Sequence, residues 1–236
     1  MSDNRATGRI RSYVLRQGRL TSGQAHALKN YWSKFGIDHQ VPPLDLDKEF
    51  ERRAPRTIDI GVGMGDTSLK MASCFPENDY LAIDVHQPGT GSLLRQIEEK
   101  HLRNIRVMCH DVVEILSGQI PNQSFDQAFI FFPDPWPKKR HHKRRLINNS
   151  FLNLLVPKLK ENGCVHIATD WQELAEHMMA VCDSYSGLIN MAGAGHFSPR
   201  PHWRPLTKFE KRGTNLSHQV FDLSYFLNSK AIPEKS

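Results

Sequence analysis

Four aspartates, Asp59, Asp84, Asp111 and Asp134, each stand at or just past the end of a short apolar run. Asp59 opens the stretch Asp59-Ile60-Gly61-Val62-Gly63-Met64-Gly65-Asp66. Glycines at alternate positions let a chain turn sharply and bring backbone N–H groups close to a ligand, although such turns also occur where a helix packs close to a strand. Asp84 follows about twenty residues later, the interval at which an acid accepts hydrogen bonds from ribose hydroxyls. Two cofactor classes suit a crevice of this kind, a nicotinamide dinucleotide and S-adenosylmethionine. The dinucleotide fingerprint places its third glycine one residue later than Gly65, and a carboxylate at Asp66 opposes a pyrophosphate over the helix N-terminus. Asp59 suits the ammonium of a methionine moiety, so the residues favour the methyl donor.

Asp134 lies in Phe132-Pro133-Asp134-Pro135-Trp136-Pro137-Lys138. Prolines on both sides fix the backbone and remove N–H donors, which makes the loop stiff. A stiff acid at a strand's carboxyl end is an active-site candidate. The bland alternative is a rigid turn, and the run KKRHHKRR over 138–145 argues against it. Trp136 could carry a stacked base or simply pack.

These residues need a scaffold that brings strand ends together. Short apolar runs bounded by turn residues predict strands at Arg56–Ile60, Tyr80–Asp84, Ile105–Cys109, Asp126–Phe132 and Cys164–Thr169. Helical patterns fall near Gly23–Phe35, Thr67–Cys74, Ser92–His101, Val112–Leu116, Arg144–Leu159 and Trp171–Tyr185. Alternating strands and helices imply an α/β fold with a mostly parallel, doubly wound sheet. Gln219–Leu227 alternates like a final antiparallel edge strand. Residues 1–54 read as a basic arm with a short helix, and 55–236 as the main domain.

The composition is ordinary for a globular chain: 236 residues, 39% hydrophobic and 24% charged. The net charge is +6, and the cations cluster in the 138–145 run and in Arg5, Arg9, Arg11, Arg16 and Arg19, so a polyanion is the expected partner. The four cysteines form no Cys-x-x-Cys pair and are expected as reduced core thiols. No Cys/His cluster has metal-ligand spacing, so no metal is expected. The start MSDNRATGRIRSYV lacks the apolar run of a signal peptide, and no apolar stretch is long enough to span a membrane. A cytoplasmic protein, monomeric or weakly dimeric, is the expectation.

The segments IDIGVGMG, LAIDVHQPGTG, NIRVMCHD, FFPDPWPKKRHHKRR, HIATDW and RPLTKFEKRG resemble the bacterial tRNA (guanine-N(7)-)-methyltransferase family. RIRSYVLRQGRLTSGQAHALKNYW near the start is similar too, so the resemblance covers nearly the whole chain. It implies a Rossmann-like class I S-adenosylmethionine-dependent methyltransferase that modifies N7 of a tRNA guanine, at position 46 of the variable loop. By the same resemblance Asp59, Gly61, Gly63, Gly65, Asp84, Asp111 and Asp134 bind the cofactor, and Asp134 is also the catalytic residue. Lys138, Asp170, Thr207, Lys208, Phe209 and Glu210 match substrate-binding positions, while Lys139, Arg140, Lys143, Arg144 and Arg145 fall in the RNA-contacting run. The family usually carries glutamate at positions 59 and 84; aspartate keeps the charge and sets it back by one methylene.

Three alternatives are weaker. A nucleic-acid amino-methyltransferase usually follows its loop acid with two prolines, whereas Trp136 follows Asp134-Pro135 here. An RNA-binding protein without catalysis would be expected to lose the crevice acids. A nicotinamide oxidoreductase fails on the glycine spacing.

Overall fold

The computed structural model describes residues 10–14, 18–40, 43–206, 210 and 219–228. Five parallel strands, β1 (Arg56–Ile60), β2 (Asp79–Asp84), β3 (Ile105–Cys109), β4 (Phe125–Phe131) and β5 (Leu159–Thr169), form most of the sheet. β6 (Leu188–Asn190) and β7 (Phe221–Leu227) complete the order β3-β2-β1-β4-β5-β7-β6. β7 runs antiparallel to both of its neighbours. The expected antiparallel strand is therefore present, but the short β6 occupies the edge. Three residues are too few to carry an alternation, so β6 left no signal in the sequence.

Side chains alternate across the strands with the period of two that an extended chain imposes. Ile58 and Ile60, Leu81 and Ile83, Ala128 and Ile130, and Val165 and Ile167 point into one core. Helices α2 (Leu46–Phe50), α6 (Asn149–Leu155) and α7 (Gln172–Asp183) add to that core through Phe50, Phe151, Leu152, Leu174 and Met178, as does Val112 of the single turn α5 (Val112–Glu114). Tyr80, Ala82, Val107, Phe129 and Phe131 face the other way, toward α1 (Ser22–Phe35), α3 (Asp66–Cys74) and α4 (Gln87–Glu99). The reversal of strand order between β1 and β4 opens the crevice where open α/β sheets bind ligands.

Helix α4 begins five residues earlier than the pattern suggests, because Gly89 and Gly91 weaken the apparent helix. Both serve close approach: a Cβ on Gly89 would lie 2.1 Å from the Gly63 carbonyl oxygen, and one on Gly91 would lie 2.8 Å from that of Gln24. The helix expected over Arg144–Leu159 is broken. Lys139–Arg144 winds as a 3-10 turn, the backbone is non-helical at Arg145, and α6 starts only where Asn148 caps the Phe151 N–H. A run of adjacent cations gains nothing from helical i,i+4 pairing, and the Asn148 side-chain amide also donates to Arg145 O. β5 starts earlier than Cys164, across a register shift opposite Phe125 and Gln127. The cysteine expectation needs correcting: Cys182 is buried, Cys109 and Cys164 are half-buried, and Cys74 is exposed; all four are free.

Candidate active site

A cavity of about 630 Å³ opens at the carboxyl ends of β1, β2, β3 and β4. Its wall includes Gly61, Asp84, Asp111, Asp134 and Lys138. Three of the four predicted acids thus share one chamber. Each gets there from a different strand end, as the parallel topology dictates.

Asp84 ends β2, and both of its carboxylate oxygens are held by backbone donors. Gly63 N lies 2.7 Å from Oδ2 and His86 N 2.9 Å from Oδ1. Gly61 and Gly63 have φ of +78° and +56°, values that L side chains rarely adopt, and a Cβ on either would meet nothing within 4 Å. Gly65 differs. It packs, since a Cβ there would lie 2.5 Å from Leu93 Cδ1. Asp111 caps the α5 turn through the Val113 N–H at 2.9 Å and is also hydrogen-bonded by the Tyr13 hydroxyl. Burial, and then the Asp111 charge, push the Tyr13 pKa above its ordinary value.

Asp59 does not reach the cavity wall. It alternates onto the α3 side of β1, is 3% exposed, and accepts a hydrogen bond from Ser68 Oγ at 2.5 Å. Burial raises its pKa to about 7, against the Ser68 bond, with the Asp84 charge adding to the rise.

The loop after β4 is anchored at several points. Phe132 N donates to Ala168 O of β5 at 2.7 Å, and Trp136 Nε1 donates to Ser12 O at 2.9 Å. The Arg144 guanidinium sits 4.9 Å from the Trp136 ring centroid, and the His141 ring meets its edge. Trp136 is therefore clamped by these contacts, and it also lines the cavity. Asp134 itself is exposed at the tip.

Lys138, Lys139, Arg140 and Lys143 are exposed beside the cavity mouth. Arg145 is not with them: it is buried, with its donors on Pro135 O and Glu173. That removes it from the expected RNA-facing set. Asp170 is exposed at the end of β5 but does not line the cavity. Thr207, Lys208 and Phe209 lie outside the described residues. Glu210 is buried, with Arg204 Nη2 donating to its Oε1 at 2.7 Å, so its carboxylate is turned inward here. Arg204 also binds Asp222, with Nε 2.8 Å from Oδ1.

Sequence reasoning missed Ser12, Tyr13 and Val14, which form part of the cavity wall, along with His86 and His110. An arm without periodicity carries no signal of where it will lie. Among the described residues, no group of three or more His, Cys, Asp or Glu could hold a metal ion, and no helix is long and apolar enough to cross a membrane.

The strand order, the antiparallel β7 and the acids ringing the switch point define a class I S-adenosylmethionine-dependent methyltransferase. The solved structure of the 16S rRNA methyltransferase KamB shares the fold, with a TM-score of 0.55 and 14% identity over 82% of this chain and 98% of that one. A family model described as "Putative methyltransferase" matches residues 53–223. The chain is 49% identical over 223 residues to the tRNA (guanine-N(7)-)-methyltransferase of Serratia proteamaculans, covering 94% of this chain and 93% of that one. It is 51% identical over 216 residues to the same-named protein of Neisseria meningitidis, covering 92% and 90%. The chain belongs to the tRNA (guanine-N(7)-)-methyltransferase family.

Proposed function

We propose that the protein methylates N7 of a guanine in tRNA, at position 46 of the variable loop, and that Asp134 holds the base for the transfer. The observation that carries this reading is the placement of Asp134 in one chamber with Asp84 and Asp111, at the edge of an exposed cationic rim.

The residues at the cavity fit S-adenosylmethionine. Asp84 lines the cavity with its carboxylate anchored by two backbone N–H groups, and an acid at this strand end would accept from ribose hydroxyls. Space stands open beside Gly61 and Gly63. When bound, the cofactor supplies a methyl group on a sulfonium, electrophilic toward the in-plane lone pair of N7. That nitrogen carries no proton, so the protein needs no general base and acts by orientation and proximity. Asp134 accepts from the N1–H and N2–H edge of the guanine and so turns N7 toward the donor. Asp111, on the wall of the same cavity, would also hold the cofactor. Asp59 acts indirectly, through Ser68 at the start of α3.

Exposed Lys139, Arg140 and Lys143 neutralise RNA phosphates, which makes binding steeply salt-dependent. The protein works in the cytoplasm as a monomer or weak homodimer, a state that sedimentation of the purified chain would read directly.

The test is transfer of a labelled methyl group to bulk tRNA, with nucleoside identification and chain scission at 7-methylguanosine to map the position. Label in 7-methylguanosine at position 46 is expected; label on adenine or cytosine overturns the reading. Asp134→Ala should lower turnover far more than cofactor affinity, and equal losses in both would remove Asp134 from its assigned role.

A further inference from the structure

Arg145 belongs by sequence to the cationic run, yet its side chain is 2% exposed while Lys139, Arg140 and Lys143 face water. Its Nε donates to the Pro135 carbonyl at 3.2 Å, and its Nη2 donates to Glu173 Oε1 at 3.0 Å. Glu173 sits in the first turn of α7, directly after β5. One planar guanidinium thus ties the residue after Asp134 to the neighbouring strand–helix unit.

The loop needs such a tie. Pro133, Pro135 and Pro137 offer no N–H, so the loop has few donors with which to stabilise its own turn. Phe132 and Trp136 have φ of +54° and +45°. Bulky residues hold such values only where the surroundings over-determine them. The Phe132 and Trp136 contacts hold the two ends of the loop, and Arg145 holds its middle, next to the acid.

We propose that Arg145 is a positioning residue, fixing the Asp134 carboxylate through Pro135 O and Glu173, and that it makes no phosphate contact. The inference rests on the reading of Asp134 given above. Lysine cannot replace it fully, because an ammonium lacks the rigid fork that reaches two acceptors in one plane. Glu173 is 53% exposed, so loss of Arg145 leaves a carboxylate that water can solvate and the fold persists.

The test compares Arg145→Met and Arg145→Lys with Lys143→Ala in the full-length protein, using bulk tRNA and S-adenosylmethionine. A displacement of about 1 Å in a reacting group costs about 100-fold. Arg145→Met is accordingly expected to lower kcat about 10- to 100-fold, with KM for both substrates little changed and with partial recovery in Arg145→Lys. The slope of log Kd for tRNA against log salt should stay at the parent value in both Arg145 variants. Lys143→Ala should reduce that slope by about one. A reduced slope in the Arg145 variants makes the residue a phosphate contact and overturns the proposal, as does parental kcat in both. If Arg145→Met fails to melt cooperatively, Arg145→Lys decides by the same criteria. Parental turnover in Asp134→Ala would instead sink the reading of the acid, a result separable from any outcome at Arg145.

Discussion

Replacing Asp59 with asparagine is expected to flatten the dependence of stability on pH. The carboxyl is enclosed behind β1, and burial raises its pKa from 3.8 to about 7, with Ser68 pulling it down and the Asp84 charge pushing it up. In the unfolded chain the group ionises near 3.9. Between these values the unfolded chain has released the proton and the folded protein has kept it, so stability falls as pH rises. The contribution is complete below the unfolded value, lost progressively up to about pH 7, and flat above that. About three pKa units at 1.36 kcal/mol each give a swing on the order of 4 kcal/mol. Asparagine keeps an oxygen that can accept from Ser68 and does not titrate. Urea unfolding of both proteins from pH 4.5 to 8 should therefore show the variant gaining about 3 kcal/mol on its parent, or roughly 6–12 °C in Tm. Other titrating groups are common to both proteins and cancel. Curves that stay parallel across the range would refute the burial argument.

Other perturbations test the cavity and its supports. Arg204→Met should destabilise by about 3–5 kcal/mol in chemical denaturation, because it strands the buried carboxylates of Glu210 and Asp222. Gly89→Ala should push α4 away from the Gly63 carbonyl, costing about 1–3 kcal/mol and weakening S-adenosylmethionine binding by calorimetry. Tyr13→Phe removes the hydroxyl bonded to Asp111. A cofactor that binds Asp111 in the cavity has to displace that hydroxyl. One hydrogen bond to a charged group is worth about 1.5–3 kcal/mol, so cofactor binding should tighten at least several-fold in the same assay; weaker binding would count against this displacement.

The parallel strands were legible because each is a short apolar run ending in a turn, and Asp84, Asp111 and Asp134 follow from the rule that ligands bind at strand ends. Asp59 shows where that rule stops. It sits within the strand, and alternation sends it toward α3. Arg145 could not be told from its cationic neighbours, since burial depends on contacts with Pro135 and Glu173 that lie 10 and 28 residues away in the chain. Trp136 was ambiguous for the same reason: its partner Ser12 is 124 residues distant. Helix α4 was read short because the glycines that allow close packing also lower helix propensity.

The position of β7 has a consequence for biosynthesis. It inserts between β5 and β6, although it leaves the ribosome after both. Strands β1 to β5 can pair as they emerge, but until Phe221–Leu227 arrives β5 presents an open row of N–H and C=O groups. Asp222 comes on that same strand, so the Arg204–Asp222 ion pair forms only once Phe221–Leu227 has been made, after the Arg204 partner Glu210. Translation arrested before Phe221 leaves a nascent sheet with a sticky flank, a substrate for chaperones or for aggregation.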